Sequence, residues 1–233
     1  MQFFVGTSGY SYPKWKGSFY PEKLPQTEML SYYAERFRAV EINNTFYKMP
    51  SENDVRAWAS QVPHSFRFTI KAPQTITHFK RLKGAEEATE HLFRMASVLK
   101  DRQGPVLFGL PPNLKKDVPR LQNFLKLIPR NTQAAFEFRH ESWFDDEVFD
   151  CLRKQRCALC LADAEDLPRT NLVATANWGY LRLRRENYTK KLLAKWFEQI
   201  GPQPWNEAYV FFKHEDTGTG PKFAAQFLDL ATG

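Results

Sequence analysis

Eight short apolar runs recur along the chain, most of them separated by a helical pattern. They begin with Phe3–Thr7, Ala39–Tyr47, Phe66–Lys71 and Pro105–Pro112. The second half holds the stretch Ala134–Phe144, then Ala158–Asp163, Gly179–Arg184 and Glu207–Asp216. Alternating strand and helix signals predict a parallel sheet, because parallel strands need long crossovers. Eight such units in 233 residues predict one closed (β/α)8 TIM-like barrel spanning residues 1–233. Between strands six and seven, Pro168 and Asn171 interrupt the connection, so its helix is expected to be short or absent. A doubly wound open sheet is the competing architecture. It fits less well because Gly6-Thr7-Ser8-Gly9, after strand one, has the wrong spacing for a dinucleotide loop.

Helix signals punctuate the runs. Thr27 is a candidate cap for a helix whose apolar face is Leu30, Ala34 and Phe37. Ser51 and Asp54 resemble a capping box, and Asp117 with Pro119 opens a later helix. Thr189 to Ile200 reads as another helix, closed by Gly201.

The fifth run raises the functional question. Phe136 and Phe138 occupy one face of the strand, and Glu137 and Arg139 the other. A strand buried on both sides should be almost wholly apolar, so two opposite charges on one side need a pocket or an ion pair. Catalytic groups of a barrel gather where its strands end. Strand parity places Glu41, Asn43, Lys71, Glu137, Arg139 and Arg182 opposite their apolar neighbours, and Asp163 and Lys213 end strands six and eight. Such a mouth is nearly self-neutralising, with a slight preference for anions.

Three chemistries fit this rim. Glu41 and Glu137 are a candidate pair in which one acts as acid and the other as base or nucleophile, with aromatic rings stacking a sugar. Lys71, Arg139 and Arg182 suit a phosphate or carboxylate, with a Glu or His78 as base. A metal held by His78, Glu137, His214 and Asp216 is the least favoured, since these residues match no ligand spacing. The candidates for catalysis are therefore Glu41, Glu137, Asp163 and His78. Those for binding are Tyr10, Trp15, Asn43, Tyr47, Lys71, Arg139, Trp143, Arg182 and Lys213. No resident metal or cofactor is expected. No P-loop, nucleophile elbow or HExxH motif occurs.

Composition narrows the partners. The net charge of +7 suits acidic ligands, so a small anionic ligand is the expected partner and nucleic acid an open one. Cys151, Cys157 and Cys160 are an odd count without a disulfide framework, which reads as structural thiols in a reducing compartment. The first residues lack the basic and apolar regions of a signal peptide, and no run approaches a membrane span of roughly 18 apolar residues. A cytoplasmic protein with no membrane partner is expected.

Several motifs together resemble the YecE-like family, the domain of unknown function numbered 72. They are Gly6-Thr7-Ser8-Gly9-Tyr10-Ser11-Tyr12 with Trp15, Phe19-Tyr20-Pro21, and Val40-Glu41-Ile42-Asn43 with Thr45-Phe46-Tyr47. Further on are Ile76-Thr77-His78, Leu110-Pro111-Pro112, and Glu137-Phe138-Arg139-His140 with Ser142-Trp143. The resemblance implies a TIM-like barrel and carries no established activity. Members of that family have been compared by fold with barrel nucleases that use several metals. Many end strand eight with an Asn-Asn-Asp-like run, where this chain has Phe212-Lys213-His214-Glu215-Asp216.

Overall fold

Each of the eight apolar runs contains a strand in the computed structural model, which describes residues 1–168, 171–213 and 218–232. The strands are β1 (Gln2–Ser8), β2 (Ala39–Ile42), β3 (Arg67–Lys71), β4 (Gln103–Gly109), β5 (Ala134–Glu137), β6 (Ala158–Asp163), β7 (Trp178–Leu183) and β8 (Glu207–Phe212). They close into a barrel in sequence order, and β1 pairs in parallel with both β2 and β8. The open doubly wound sheet is thereby excluded.

Around the barrel lie α1 (Met29–Ala34), α2 (Glu52–Ser60), α3 (Glu86–Ser97), α4 (Val118–Leu125), α5 (Asp146–Lys154), α6 (Lys190–Ile200) and α7 (Thr219–Thr232). No helix joins β6 to β7 among the described residues, in line with the interrupted pattern there. Local chemistry sets the helix starts. Ser51 and Asp54 close a reciprocal capping box on α2, and Asp117 and Thr189 accept from the first turns of α4 and α6. Thr27 does not cap α1. It lies in a 3-10 turn, Gln26–Glu28, that leads straight into the helix. Strand eight stops at Phe212, and His214, Glu215 and Asp216 lie outside the described residues. No described helix is long and apolar enough to cross a membrane.

Strand parity divides the core in two. Val5, Val40, Phe68, Phe108, Phe136, Leu181 and Val210 pack against the helices. Phe4, Leu107, Ala135, Cys160, Trp178, Tyr180, Tyr209 and Phe211 fill the barrel interior. There Phe4 and Tyr209 stack with ring centroids 4.8 Å apart, so the interior is solid rather than a pore. Gly6 lets β1 approach β2, because a Cβ at that position would lie 1.9 Å from the Ala39 carbonyl oxygen. Large rings at one end of the barrel leave the charged residues to occupy the other.

Candidate functional site

At the C-terminal ends of the strands, one guanidinium joins two carboxylates. Arg182, on the interior face of β7, donates from Nη2 to Glu41 Oε1 at 2.8 Å and from Nη1 to Glu137 Oε2 at 2.5 Å. All three side chains are essentially closed to solvent. Every remaining carboxylate oxygen is also engaged. Glu41 accepts from Ser8 Oγ and from Tyr180 Oη, each at 2.7 Å. Glu137 Oε1 accepts from Arg139 Nε at 2.7 Å and faces Arg184 Nη2 at 3.8 Å.

The electrostatics follow from these contacts. Burial is the largest single influence and would raise both glutamates, but it is outweighed by Arg182 together with Tyr180 and Ser8 at Glu41, and by Arg182 together with Arg184 and Arg139 at Glu137. Both carboxyls are held below their ordinary range and carry charge at neutral pH. Arg182 is likewise locked in its charged form: burial opposes the charge, and Glu137 and Glu41 more than restore it. A general acid needs a raised carboxyl pKa, and neither glutamate has one.

Above this buried cluster the rim is cationic. Lys71, the last residue of β3, holds its Nζ 4.3 Å from the centre of the Phe46 ring. Its carbonyl accepts from Thr45 Oγ1 at 2.7 Å, but its Nζ forms no hydrogen bond or ion pair among the described residues. Burial, followed by the charge of Arg182, pushes its amine down to about 8. His78 lies on a π-helical turn, Thr75–Phe79, with its ring edge-on to Phe46 at 4.9 Å. Its Nδ1 bonds Thr77 Oγ1 at 2.9 Å, and burial, Arg139 and Lys71 lower its pKa. Arg139 and Arg184 are each partly exposed. Among the described residues the Nε of Arg184 is buried without a hydrogen-bond partner, as are the Nε of Arg182 and Oδ1 of Asn43. Asn43 and Tyr10 line a cavity of about 180 Å³ beside Tyr12 and Trp58.

Other expected site residues lie elsewhere. Asp163 faces outward, not into the mouth: Arg185 Nε, Tyr188 Oη and Trp196 Nε1 bind its carboxylate at 2.6, 3.0 and 3.2 Å. Parity explains this, since Ala158 and Cys160 of the same strand point inward. A cavity of about 670 Å³ between β6 and α6 belongs to that outer face. Trp15 and Trp143 are core residues rather than ligand platforms. Trp143 stacks on Phe138 at 4.7 Å and donates to the Leu114 carbonyl at 2.6 Å, and Trp15 packs among Tyr12, Phe19 and Tyr20. Tyr47 is open to solvent beside Phe46, and Lys213 is exposed just beyond β8. No group of three or more His, Cys, Asp or Glu among the described residues is arranged to hold a metal ion. His214 and Asp216, two of the four considered for that role, lie outside those residues.

A family model described as "Protein of unknown function DUF72" matches residues 4–233. The chain belongs to the DUF72 family. Among similar DUF72 chains, the UPF0759 protein YecE of Escherichia coli strain K12 is 34% identical over 143 residues, 60% of this chain and 50% of that protein. The UPF0759 protein YunF of Bacillus subtilis strain 168 is 27% identical over 141 residues, 57% of this chain and 50% of that one. These matches span about half the length of the relatives. The crystal structure of a DUF72 protein from Thermotoga maritima superposes over the full length of both chains, with a TM-score of 0.87 and 29% identity. One from Enterococcus faecalis shares the fold with a TM-score of 0.85 at 18% identity.

Within this DUF72 chain, sequence reasoning missed three members of the constellation. Ser8, Tyr180 and Arg184 share the inward parity of Phe4 and Arg182, so alternation along β1 and β7 could have placed them. The basic run Arg182-Leu183-Arg184-Arg185 splits by parity: Arg184 approaches Glu137 and Arg185 binds Asp163. The three cysteines are buried and free, and burial raises the thiol of Cys160 well above its usual value. None is a poised nucleophile.

Proposed function

We propose that the mouth of the barrel binds a small ligand through a phosphate or carboxylate group. The surplus of cationic donors carries this reading. Arg182 is neutralised from below by Glu41 and Glu137, while Arg139, Arg184 and Lys71 add positive charge that these two carboxylates do not balance. Arg139 uses only its Nε on Glu137, which leaves its terminal nitrogens for a bidentate anion. An anion entering the rim would offset the positive charge that Arg139, Arg184 and Lys71 leave over.

Calorimetric titration with inorganic phosphate and sulfate tests this. Saturable binding is expected, with a ligand-dependent rise in Tm. Arg139→Ala and Arg184→Ala should each weaken it by roughly ten- to a hundredfold, the worth of one charge-assisted hydrogen bond of about 1.5–3 kcal/mol. The absence of binding at tens of millimolar anion in low-salt buffer would refute the proposal. Retention of single-stranded DNA that falls steeply with salt, without phosphate binding, would assign the mouth to nucleic acid instead.

A further inference from the structure

Lys71 is the cation of the mouth that the anion-binding reading does not fully use. The two arginines reaching the rim from β5 and β7 contact or face Glu137, whereas among the described residues the Lys71 ammonium makes no ion pair and lies over the face of Phe46. A half-buried ammonium without a carboxylate partner is costly, and the neutral amine escapes that cost.

We infer that Lys71 is a covalent attachment point, whose ε-amine forms a Schiff base with an aldehyde or ketone held at the rim by its own phosphate or carboxylate group. The inference rests on the anion-binding reading, which supplies the orientation. Arg139 and Arg184 would take the anionic end, and the carbonyl carbon would lie against Nζ.

The charges facing Lys71 are of both signs, and burial tips the balance toward the neutral amine. They are Arg182 from β7, Arg139 from the end of β5, and the carboxylates of Glu41 and Glu137. Burial and Arg182 favour the neutral amine, and the two glutamates oppose them, as does the Phe46 ring. The balance leaves the amine near 8, so about a tenth of it is unprotonated at pH 7. Desolvation beside another cation is an established route to a reactive lysine.

The step balances without an oxidant or reductant. The amine lone pair attacks the carbonyl carbon, and the carbonyl oxygen takes a proton to give a carbinolamine. A further proton on that hydroxyl expels it as water. The nitrogen lone pair forms the C=N bond, and the nitrogen loses its original protons to the solvent or to a base. His78 stands on the adjacent turn for such transfers. Its Nδ1 is occupied by Thr77, its Nε2 has no hydrogen bond among the described residues, and its lowered pKa keeps the ring neutral at pH 7.

The test is reductive trapping of the intact protein with sodium cyanoborohydride and glyoxylate or glycolaldehyde phosphate, with acetaldehyde as the uncharged control. Adducts are then located by peptide mass spectrometry. The expected result is a predominant adduct on Lys71, formed faster than on surface lysines by on the order of tenfold or more. Its rate should rise with a midpoint near pH 8, fall when phosphate is added, and drop in Arg184→Ala. Lys71→Arg should lose the adduct. Adducts spread evenly over surface lysines, with phosphate still binding, would overturn the covalent role and leave anion binding intact. Selective Lys71 labelling that is equally fast with acetaldehyde and indifferent to phosphate would overturn the anion-directed inference. If phosphate also failed to bind in calorimetry, the reading beneath it would fall too.

Discussion

Replacing Arg182 by Met is expected to destabilise the protein by about 3–5 kcal/mol and lower Tm by roughly 10 °C or more. The loss comes less from the missing ion pairs than from what they leave behind. Glu41 and Glu137 are wholly buried, and without the guanidinium Glu41 keeps only the hydroxyls of Ser8 and Tyr180. Urea unfolding of Arg182→Met beside the parent protein measures the effect. A companion variant, Arg182→Met with Glu41→Leu and Glu137→Leu, should recover much of the loss, since apolar groups of similar volume can replace a buried charge cluster. An unchanged urea midpoint in the single variant would show that the cluster contributes nothing.

The same cluster dictates a pH signature. In the parent, Glu41 and Glu137 have pKa values below those of the unfolded chain. Their contribution is complete above the unfolded value of roughly 4.3 and is lost as pH falls through the folded values. In Arg182→Met the burial of Glu41 is no longer opposed by the guanidinium, so its pKa should rise above the unfolded value. The variant then gains stability as pH falls through that raised pKa to the unfolded value. The gap between the two proteins should therefore narrow from pH 7 to pH 4.

The second large effect is expected at Trp143. Trp143→Ala should cost about 3–5 kcal/mol, the usual range for removing a buried Trp ring. The ring has no solvent exposure and lies flat against Phe138, at an interplanar angle of 6°. Trp143→Phe should cost less, about 1–3 kcal/mol, because the stack survives and only the Leu114 carbonyl loses its donor. Neither change should alter phosphate affinity in calorimetry, as Trp143 belongs to the layer between barrel and helices. A variant that kept its urea midpoint but no longer bound phosphate would return Trp143 to the ligand site.

Much of the site was readable from alternation. Glu41, Glu137 and Arg182 each flank apolar residues that pack on the helices, so they point inward together once the barrel closes. His140 followed the same logic in reverse: its parity points away from the mouth, and its Nδ1 caps the turn Glu141–Trp143. Asp163 ends its strand but shares the outward parity of Leu159 and Leu161, which turns it away from the mouth. The outward position is stabilised by partners 22 to 33 residues further along the chain.

Aromatic residues were harder to place, for a physical reason. A Trp in a loop packs inward or faces solvent according to what the rest of the fold brings against it. For Trp143 that is a carbonyl 29 residues away, which no local pattern encodes. The same holds for the charges. Local sequence determined eight strands, the helices between most of them, and which face of each strand carries its polar groups. Only closure of the barrel decided that Arg182 meets Glu41, 141 residues away, and Glu137, 45 residues away. That closure consumes both carboxylates in holding one guanidinium and leaves the rim to Arg139, Arg184 and the amine of Lys71, because pairing between buried charges depends on distances that alternation along a single strand does not contain.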